Sequence, residues 1–439
     1  MPGGELTNRI KRALDAFPIV DPHSHIDPAS PVCKTLDDIL GYHYYTELAH
    51  SAGMDKAPLA PDVDPLDRAK ALARFLPLIA NTEQYRWLLF IVRRFLGLDV
   101  TRVDETNIEQ VWGAAKERFA APDWQERLIQ ETRLNCIFLT NDFDDPLQGF
   151  DTAFFVPCLR TDDLVFKLGD ERVRERLARA TNVEVKDLNS LREALARVFQ
   201  NFVDKGARAC AVSLPPAFAP EPVSDVEAAR ALDAVLRLAS PSAHAVQTTS
   251  KWVFWLIAEL CDDFNLPFDL MIGVRRAVYR DGVFQGQDLL DVRWSLMEYA
   301  TLFNSFPRVA FPVSVLSHVH NQELVAFAWI FPNVLCHGHW WYSNVPAFLE
   351  PDLRARLTAV PRSKQIGYYS DAYRLEFVLP KFDMYRRCLA RLLAEEFITE
   401  RGWSEEEALE LAWVVLVENP CRVFGVPLPA RPPELGGSR

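Results

Sequence analysis

The chain has 439 residues, of which 49% are hydrophobic, and a formal net charge of −12, so it can bury a large core. Because the negative charge is spread along the chain, nucleic acid and anionic membranes are excluded as expected partners. Residues 1–12 lack the apolar segment of a signal peptide, and no apolar run is long enough to span a bilayer. We expect a cytoplasmic protein whose eight cysteines, which form no CxxC pair, are buried free thiols.

Short β-rich runs alternate with longer helical patterns along the chain. The candidate strands are Pro18–Asp21, Cys136–Thr140, Ala153–Pro157, Ala209–Leu214, Phe268–Gly273, Val309–Leu316, Val334–His337 and Gln365–Tyr369. Clear helical patterns between them include Leu188–Val203, Asp225–Leu238 and Gln322–Ile330. Such alternation implies parallel strands joined by crossover helices, and eight strands predict an α/β fold of the (β/α)8 TIM-barrel type.

The connection between the first two candidate strands is far longer than one crossover helix needs. It contains helical patterns at Thr35–Ala52, Pro65–Leu76, Thr82–Leu96 and Asn107–Ala120. Because the loops that follow barrel strands line the catalytic mouth, we expect this insertion to supply substrate contacts. The predicted division is residues 1–30 for the first barrel strand, 31–130 for the insertion, 131–425 for the remaining barrel and 426–439 for a loose tail.

Two histidines end the first candidate strand, within the segment Asp21–His25. Residues two apart on a strand point to the same side, so the imidazoles of His23 and His25 can reach one divalent ion. Ordinary hydrogen-bonded histidines are the alternative. A third ligand is expected from Asp371, which follows the last candidate strand, because strands one and eight are neighbours in a closed barrel. A helix N-cap is the alternative for this aspartate.

Further motifs follow these residues in a fixed order along nearly the whole chain. They are His43-Tyr44, Asn81–Trp87, Arg94–Gly97, Thr140–Pro146, Val156–Asp162, Trp340–Asn344, Tyr385–Arg387 and Asn419–Gly425. Together with Asp21–His25, this series resembles the uronate (glucuronate) isomerase family of the amidohydrolase superfamily.

The resemblance implies an aldose–ketose isomerase that interconverts an aldehyde uronic acid, such as D-glucuronate or D-galacturonate, and its keto form. The metal would be Zn2+, with Mn2+ as the alternative, since both suit a set of nitrogen and oxygen ligands. Asp371 would serve as catalytic base or metal ligand, and His43 and Tyr44 would contact the sugar oxygens or move the second proton. Arg374 is a further catalytic candidate, although the family motif Asp-x-Arg is one residue longer here.

Four more residues are candidates for substrate binding. Arg160 would clamp the substrate carboxylate with two parallel hydrogen bonds, and a surface ion pair with Asp162 or Asp163 is its alternative role. Arg276 is a second anion contact. Trp340 and Trp341 would wall the pocket, although adjacent tryptophans are also common in cores.

Departures from the family pattern keep other activities open. Met271 stands where the family has a histidine, and Ser213–Pro216 replaces an Asp-His pair. Histidines that could rebuild a polar site are His318, His320, His337 and His339. The alternatives are a metal-dependent hydrolase of a lactone, amide or ester, a decarboxylase of the same superfamily, and a binding protein that has lost catalysis. The expected partner is a small sugar acid, and a homo-oligomer is compatible with the sequence.

Overall fold

The computed structural model of the protein describes residues 2–283 and 286–433. The strands in these ranges are β1 (Ile19–Asp21), β2 (Leu134–Phe138), β3 (Asn141–Asp142), β4 (Phe155–Val156), β5 (Cys158–Arg160), β6 (Ala209–Leu214), β7 (Phe268–Ile272), β8 (Val274–Arg275), β9 (Leu289–Leu290), β10 (Phe311–Val315), β11 (Val334–His337) and β12 (Gln365–Ile366). Each of the eight candidate strands coincides with a strand in this series. The third is divided at Pro157, which lacks the N–H that a continuous ladder needs.

The barrel strands lie side by side in chain order. Parallel ladders join β1 to β2 and β2 to β4, and then β5, β6, β7, β10, β11 and β12 in succession, with β3 beside β5. In the described ranges no ladder joins β12 to β1. The segments that follow these two strands are instead linked by hydrogen bonds from Asp371 N to His23 O (3.1 Å) and from His25 N to Ala372 O (2.8 Å). This arrangement agrees with the predicted α/β fold of the TIM-barrel type.

Seven helices precede β2. They are α1 (Pro2–Asp15), α2 (Leu36–Leu40), α3 (His43–Ser51), α4 (Pro65–Ala73), α5 (Glu83–Arg94), α6 (Ile108–Phe119) and α7 (Trp124–Thr132). The predicted helix Thr35–Ala52 is divided into α2 and α3, because Tyr42 between them has an extended backbone. Side-chain capping explains where α4 and α5 begin. The side chain of Asp64 accepts a hydrogen bond from Leu66 N, and that of Thr82 accepts one from Tyr85 N.

The remaining helices cover the barrel strands and form the C-terminal part of the chain. They are α8 (Asp162–Phe166), α9 (Glu171–Thr181), α10 (Leu188–Asp204), α11 (Asp225–Arg237), α12 (Ala243–Asp263), α13 (Ala300–Ser305), α14 (Asn321–Ile330), α15 (Pro346–Ala359), α16 (Val378–Leu392), α17 (Glu405–Trp413) and α18 (Asn419–Phe424). None of the described helices combines the length and apolar character needed to cross a membrane. The predicted tail begins with buried Val426, and residues 434–439 lie outside the described residues.

One hydrophobic core joins the inserted helices to the barrel. Ile39, Trp87 and Leu128 of the insertion belong to the same buried cluster as Val20 of β1 and Phe382 of α16. A second cluster fills the space between strands β6, β7 and β10 and the helices around them. All eight cysteines are buried and free, as predicted from the sequence. The insertion is therefore packed against the barrel end where β1 and β12 finish.

A buried carboxylate connects the insertion to the segment after β12. Glu376 is fully buried, and its Oε1 accepts hydrogen bonds from Trp124 Nε1 (2.8 Å) and from Cys33 N (3.0 Å). Burial raises the pKa of Glu376. These bonds hold α7 and the loop before α2 against the polypeptide that carries Asp371.

We expect the Glu376→Ala substitution to lower the free energy of unfolding by about 2–4 kcal/mol, because it leaves two buried donors without an acceptor. Urea denaturation measures this change. Glu126→Ala, which removes an exposed carboxylate from α7, is the control and should shift stability by less than about 0.5 kcal/mol. Equal stability of the two variants would show that Glu376 does not tie the insertion to the barrel.

Candidate metal centre and active site

Three predicted ligands meet where the first and last barrel strands finish. His23 and His25 follow β1, and Asp371 follows β12. Asp371 Oδ1 lies 3.5 Å from His23 Nε2 and 3.3 Å from His25 Nε2. One possible donor atom from each residue lies within 4.8 Å of the other two, so the three side chains could hold one metal ion.

The backbone around Asp371 orients its carboxylate. Asp371 adopts a left-handed conformation with φ of 52°, which is uncommon for a residue other than glycine. Ser370 N donates a hydrogen bond to Asp21 Oδ1 at 2.8 Å, so the buried carboxylate that precedes the two histidines also supports the opposite segment. Burial raises the pKa of Asp21 to about 6.

The charges at this centre are strongly coupled. Burial alone would raise the pKa of Asp371, but the two neighbouring imidazoles outweigh it and hold the pKa well below its usual value. Burial lowers the pKa of His25, whereas in His23 the same effect is outweighed by Asp371 and the pKa is raised. The carboxylate therefore stays ionised, as a metal ligand must be.

The donor atoms fit a divalent cation. His23 Nε2 and Asp371 Oδ1 are both buried and have no hydrogen-bond partner among the described residues. Buried polar atoms are almost always satisfied, so two that face each other indicate a group that they could bind together. Two imidazole nitrogens and a carboxylate oxygen are a common ligand set for catalytic metals, with positions left open for substrate or water.

A cavity of about 580 Å³ opens beside these ligands. Seven of the residues predicted for the site line it, namely His25, His43, Arg160, Arg276, Trp340, Trp341 and Asp371. The volume lies within the usual range for small-molecule sites. Residues from the segment after β1, the insertion, strand β5 and the connections after β7, β11 and β12 thus surround one space.

Other polar residues line the cavity without having been predicted for the site. They are Asp27, Thr140, Asn141, Asp142, Asp145, Asp288 and Tyr373. Thr140 ends the second candidate strand and Asn141, Asp142 and Asp145 follow it, and this position at a strand end was a signal in the sequence for a place in the cavity. Asp288 lies in a long connection after β7, where the sequence carries no comparable signal.

Both cavity arginines are also ion-paired. Arg160 Nε lies 3.2 Å from Asp162 Oδ2, and Arg276 Nη1 lies 2.6 Å from Asp288 Oδ2. The two roles considered for Arg160, cavity residue and ion-pair partner, therefore occur together. A bound anion would share each guanidinium with an aspartate.

Arg374 does not line this cavity. Its guanidinium donates to Ser30 O and lies 3.4 Å from Asp38 Oδ1, beside a second cavity of about 470 Å³. Tyr373, one residue earlier, lines both cavities and stacks on His25 with ring centroids 4.9 Å apart. The extra residue after Asp371 thus brings a tyrosine to the cavity wall and directs the arginine elsewhere.

Tyr44 is also absent from the cavity lining, although His43 beside it is present. Tyr44 is buried, with its ring centroid 4.2 Å from that of His43. Its hydroxyl has no hydrogen-bond partner among the described residues. Burial lowers the pKa of His43 to about 3, so this imidazole is neutral at physiological pH.

The four additional histidines do not line the main cavity. His318 Nδ1 contacts Asp352 Oδ1 at 2.6 Å, and His337 Nδ1 contacts Asp269 Oδ1 at 3.1 Å. His320 stacks on Trp294, and His339 is fully buried. Met271 and Ser213 instead line a small space of about 60 Å³ that adjoins His23 and Arg160.

Comparisons with known proteins agree with this architecture. A uronate isomerase from Thermotoga petrophila is 24% identical over 450 residues, which cover 95% of this chain and 98% of the relative. The corresponding protein of Lactococcus lactis is 22% identical, with 90% of this chain and 89% of the relative covered.

Solved structures show the same fold. The uronate isomerase from Thermotoga maritima superposes with a TM-score of 0.88 at 20% identity, covering 96% of this chain and 97% of that chain. The glucuronate isomerase from Caulobacter crescentus has a TM-score of 0.88 at 18% identity, with coverage of 100% and 97%. A family model described as glucuronate isomerase matches residues 7–416. The chain therefore belongs to the glucuronate isomerase family.

Proposed function

We propose that the protein interconverts an aldehyde uronic acid and its keto form, with a divalent metal bound by His23, His25 and Asp371. The observation that carries this proposal is the convergence of these three side chains beside one cavity, which His25 and Asp371 line together with Arg160 and His43. Family membership favours isomerisation over the metal-dependent hydrolase and the decarboxylase that the sequence left open. The unpaired cysteines favour a cytoplasmic enzyme.

The substrate carboxylate is assigned to Arg160, with Arg276 as the second anion contact. A guanidinium matches a carboxylate in both charge and planar geometry, which a lysine amine does not. Trp340 and Trp341 form an apolar wall against which the carbon face of a sugar acid can lie. D-Glucuronate and D-galacturonate are the substrates that we propose to test first.

Zn2+ is the proposed metal, with Mn2+ as the alternative, because two histidines and one carboxylate suit either ion. A divalent ion held by these residues would supply an electrophile for the oxygen atoms of the sugar. His23 and His25 act only as ligands in this proposal. Asp371, like His25, lies at the cavity wall, where its carboxylate can reach a substrate proton.

Isomerisation moves one proton from C2 to C1 and one from the C2 oxygen to the C1 oxygen, so the atoms of substrate and product are the same. Asp371, ionised at neutral pH, is the proposed base for the carbon-bound proton. Neutral His43 is proposed to carry the proton between the oxygens. Tyr44 lies behind His43 and is assigned to hold that ring, and Arg374 is assigned to the wall of the second cavity rather than to the chemistry.

The reaction can be tested directly. Protein loaded with Zn2+ or Mn2+ should convert D-glucuronate or D-galacturonate to a ketose of unchanged mass, and chelation should abolish turnover until metal is restored. Chromatography with mass spectrometry measures the product. A metal-loaded protein that produces no ketose, or that hydrolyses a lactone or ester instead, would refute the proposed reaction.

The metal ligands have their own test. His23→Ala should lower the affinity for Zn2+ by more than about 100-fold, which exceeds the usual cost of losing an outer-sphere partner, and should abolish isomerisation. Elemental analysis after dialysis measures bound metal per chain. His318→Ala, which removes a histidine that lies outside the cavity, is the control and should retain metal. Full metal content and activity in the His23 variant would place the centre elsewhere.

The role of Arg160 predicts a change in KM. Arg160→Lys should raise the KM for a uronate by about 10- to 100-fold, because one amine cannot replace a paired, charge-assisted contact. Steady-state kinetics measure it, with Arg308→Lys as a control at an exposed arginine that is paired with Asp262. A KM that matches the control would remove Arg160 from carboxylate binding.

A further inference from the structure

A fully buried lysine lies directly behind the ligand Asp371. Lys381 belongs to α16 and has no exposed surface. Its Nζ donates hydrogen bonds to the backbone oxygens of Ser370 (2.7 Å) and Asp371 (3.3 Å), and to the hydroxyl of Tyr42 (2.9 Å). The Tyr42 hydroxyl in turn donates to Asp371 O at 3.0 Å. One ammonium group is therefore bonded to the backbone of the candidate ligand, both directly and through a tyrosine.

Aromatic rings from the insertion surround the same ammonium group. The ring centroids of Tyr42, Tyr44 and Trp87 lie 5.1, 5.2 and 5.2 Å from Lys381 Nζ. At these distances the faces of the rings attract a cation. A buried charge is costly unless it is well compensated, and here three oxygens and three rings provide the compensation. The number of groups that compensate this charge indicates that the position of the Lys381 amine is important for the structure around it.

The Lys381 amine is important because it holds the backbone of Ser370 and Asp371. Asp371 has the left-handed φ of 52°, a conformation that persists in a non-glycine residue only when its surroundings enforce it. On one side, Asp371 N donates to His23 O at 3.1 Å. On the other side, the carbonyl oxygens of Ser370 and Asp371 both accept hydrogen bonds from Lys381.

We propose that Lys381 is a positioning residue for the metal centre. By holding the carbonyl groups of Ser370 and Asp371, it fixes the left-handed turn that directs the Asp371 carboxylate toward the two histidines. The inference rests on the proposed metal site, and it assigns to a residue of α16 a part in metal affinity. Lys381 does not line the cavity and so does not contact the substrate.

The chain contains a closely matched control. Lys364 is half-buried, whereas Lys381 is fully buried, and Lys364 Nζ likewise donates to two backbone oxygens, those of Ala328 (2.7 Å) and Phe331. Burial lowers the pKa of both lysines to about 8. Lys364 directly precedes β12, and its acceptors lie at the end of α14, whereas the acceptors of Lys381 lie in the segment after β12. Replacing either one removes an amine from two carbonyl groups, but only one pair belongs to the metal centre.

The test measures Zn2+ affinity of the full-length apo protein by competition with a chromophoric chelator. Lys381→Met should weaken binding by about 10- to 100-fold, the usual effect of losing an outer-sphere partner. Lys364→Met should leave the affinity within about twofold of the unmodified protein, since its amine contacts no part of the metal centre. Thermal denaturation of both apo variants shows whether they lose comparable stability, so a general loss of stability would not mimic the result.

A second variant keeps the test decisive if Lys381→Met does not fold. Lys381→Gln retains a donor for the carbonyl groups and should bind Zn2+ more weakly than the unmodified protein and more tightly than Lys381→Met. Unchanged affinity in every folded Lys381 variant would overturn the positioning role. If the unmodified protein itself binds no Zn2+ or Mn2+, the metal centre is refuted, and the role of Lys381 is refuted with it.

Discussion

Two backbone hydrogen bonds, between Asp371 N and His23 O and between His25 N and Ala372 O, hold the end of β1 against the segment after β12. The strands at the two ends of the parallel series carry all three candidate metal ligands, so these bonds set the distances between them. The same contact shapes the cavity, because His25 and Asp371 are both part of the cavity wall. The inserted helices and Glu376 pack around this junction.

The lining of the cavity is more acidic than a site for an anion would suggest. Aspartates outnumber arginines there, and each arginine already has an aspartate partner. Carboxylates are good acceptors for sugar hydroxyl groups, whereas the substrate carboxylate needs the guanidinium side of the cavity. A divalent ion near Asp371 would offset part of the negative charge. In the proposed function, the arginines receive the substrate carboxylate and the aspartates accept hydrogen bonds from its hydroxyl groups.

Much of this arrangement could be predicted because it follows from local rules. The spacing of His23 and His25 predicts that both imidazoles reach one point, and they do so although both residues follow the end of β1. Barrel order brings Asp371 to them. The directions of Tyr44 and Arg374 could not be predicted in this way. Successive residues on a helix diverge, so Tyr44 turns from the cavity that His43 lines, and the left-handed φ at Asp371 decides where Tyr373 and Arg374 point. The spacing of the sequence motifs therefore does not predict the direction of either the Tyr44 or the Arg374 side chain.

The candidate centre draws its ligands from opposite ends of the chain, with His23 near the start and Asp371 close to the last helices. Contacts of such large sequence separation form late in folding, since the cost of closing a long loop comes before any contact compensates for it. During synthesis the two histidines must remain without their third partner until the segment that follows β12 has also emerged. A metal bound at full affinity would then mark a chain whose first and last barrel strands have already come together.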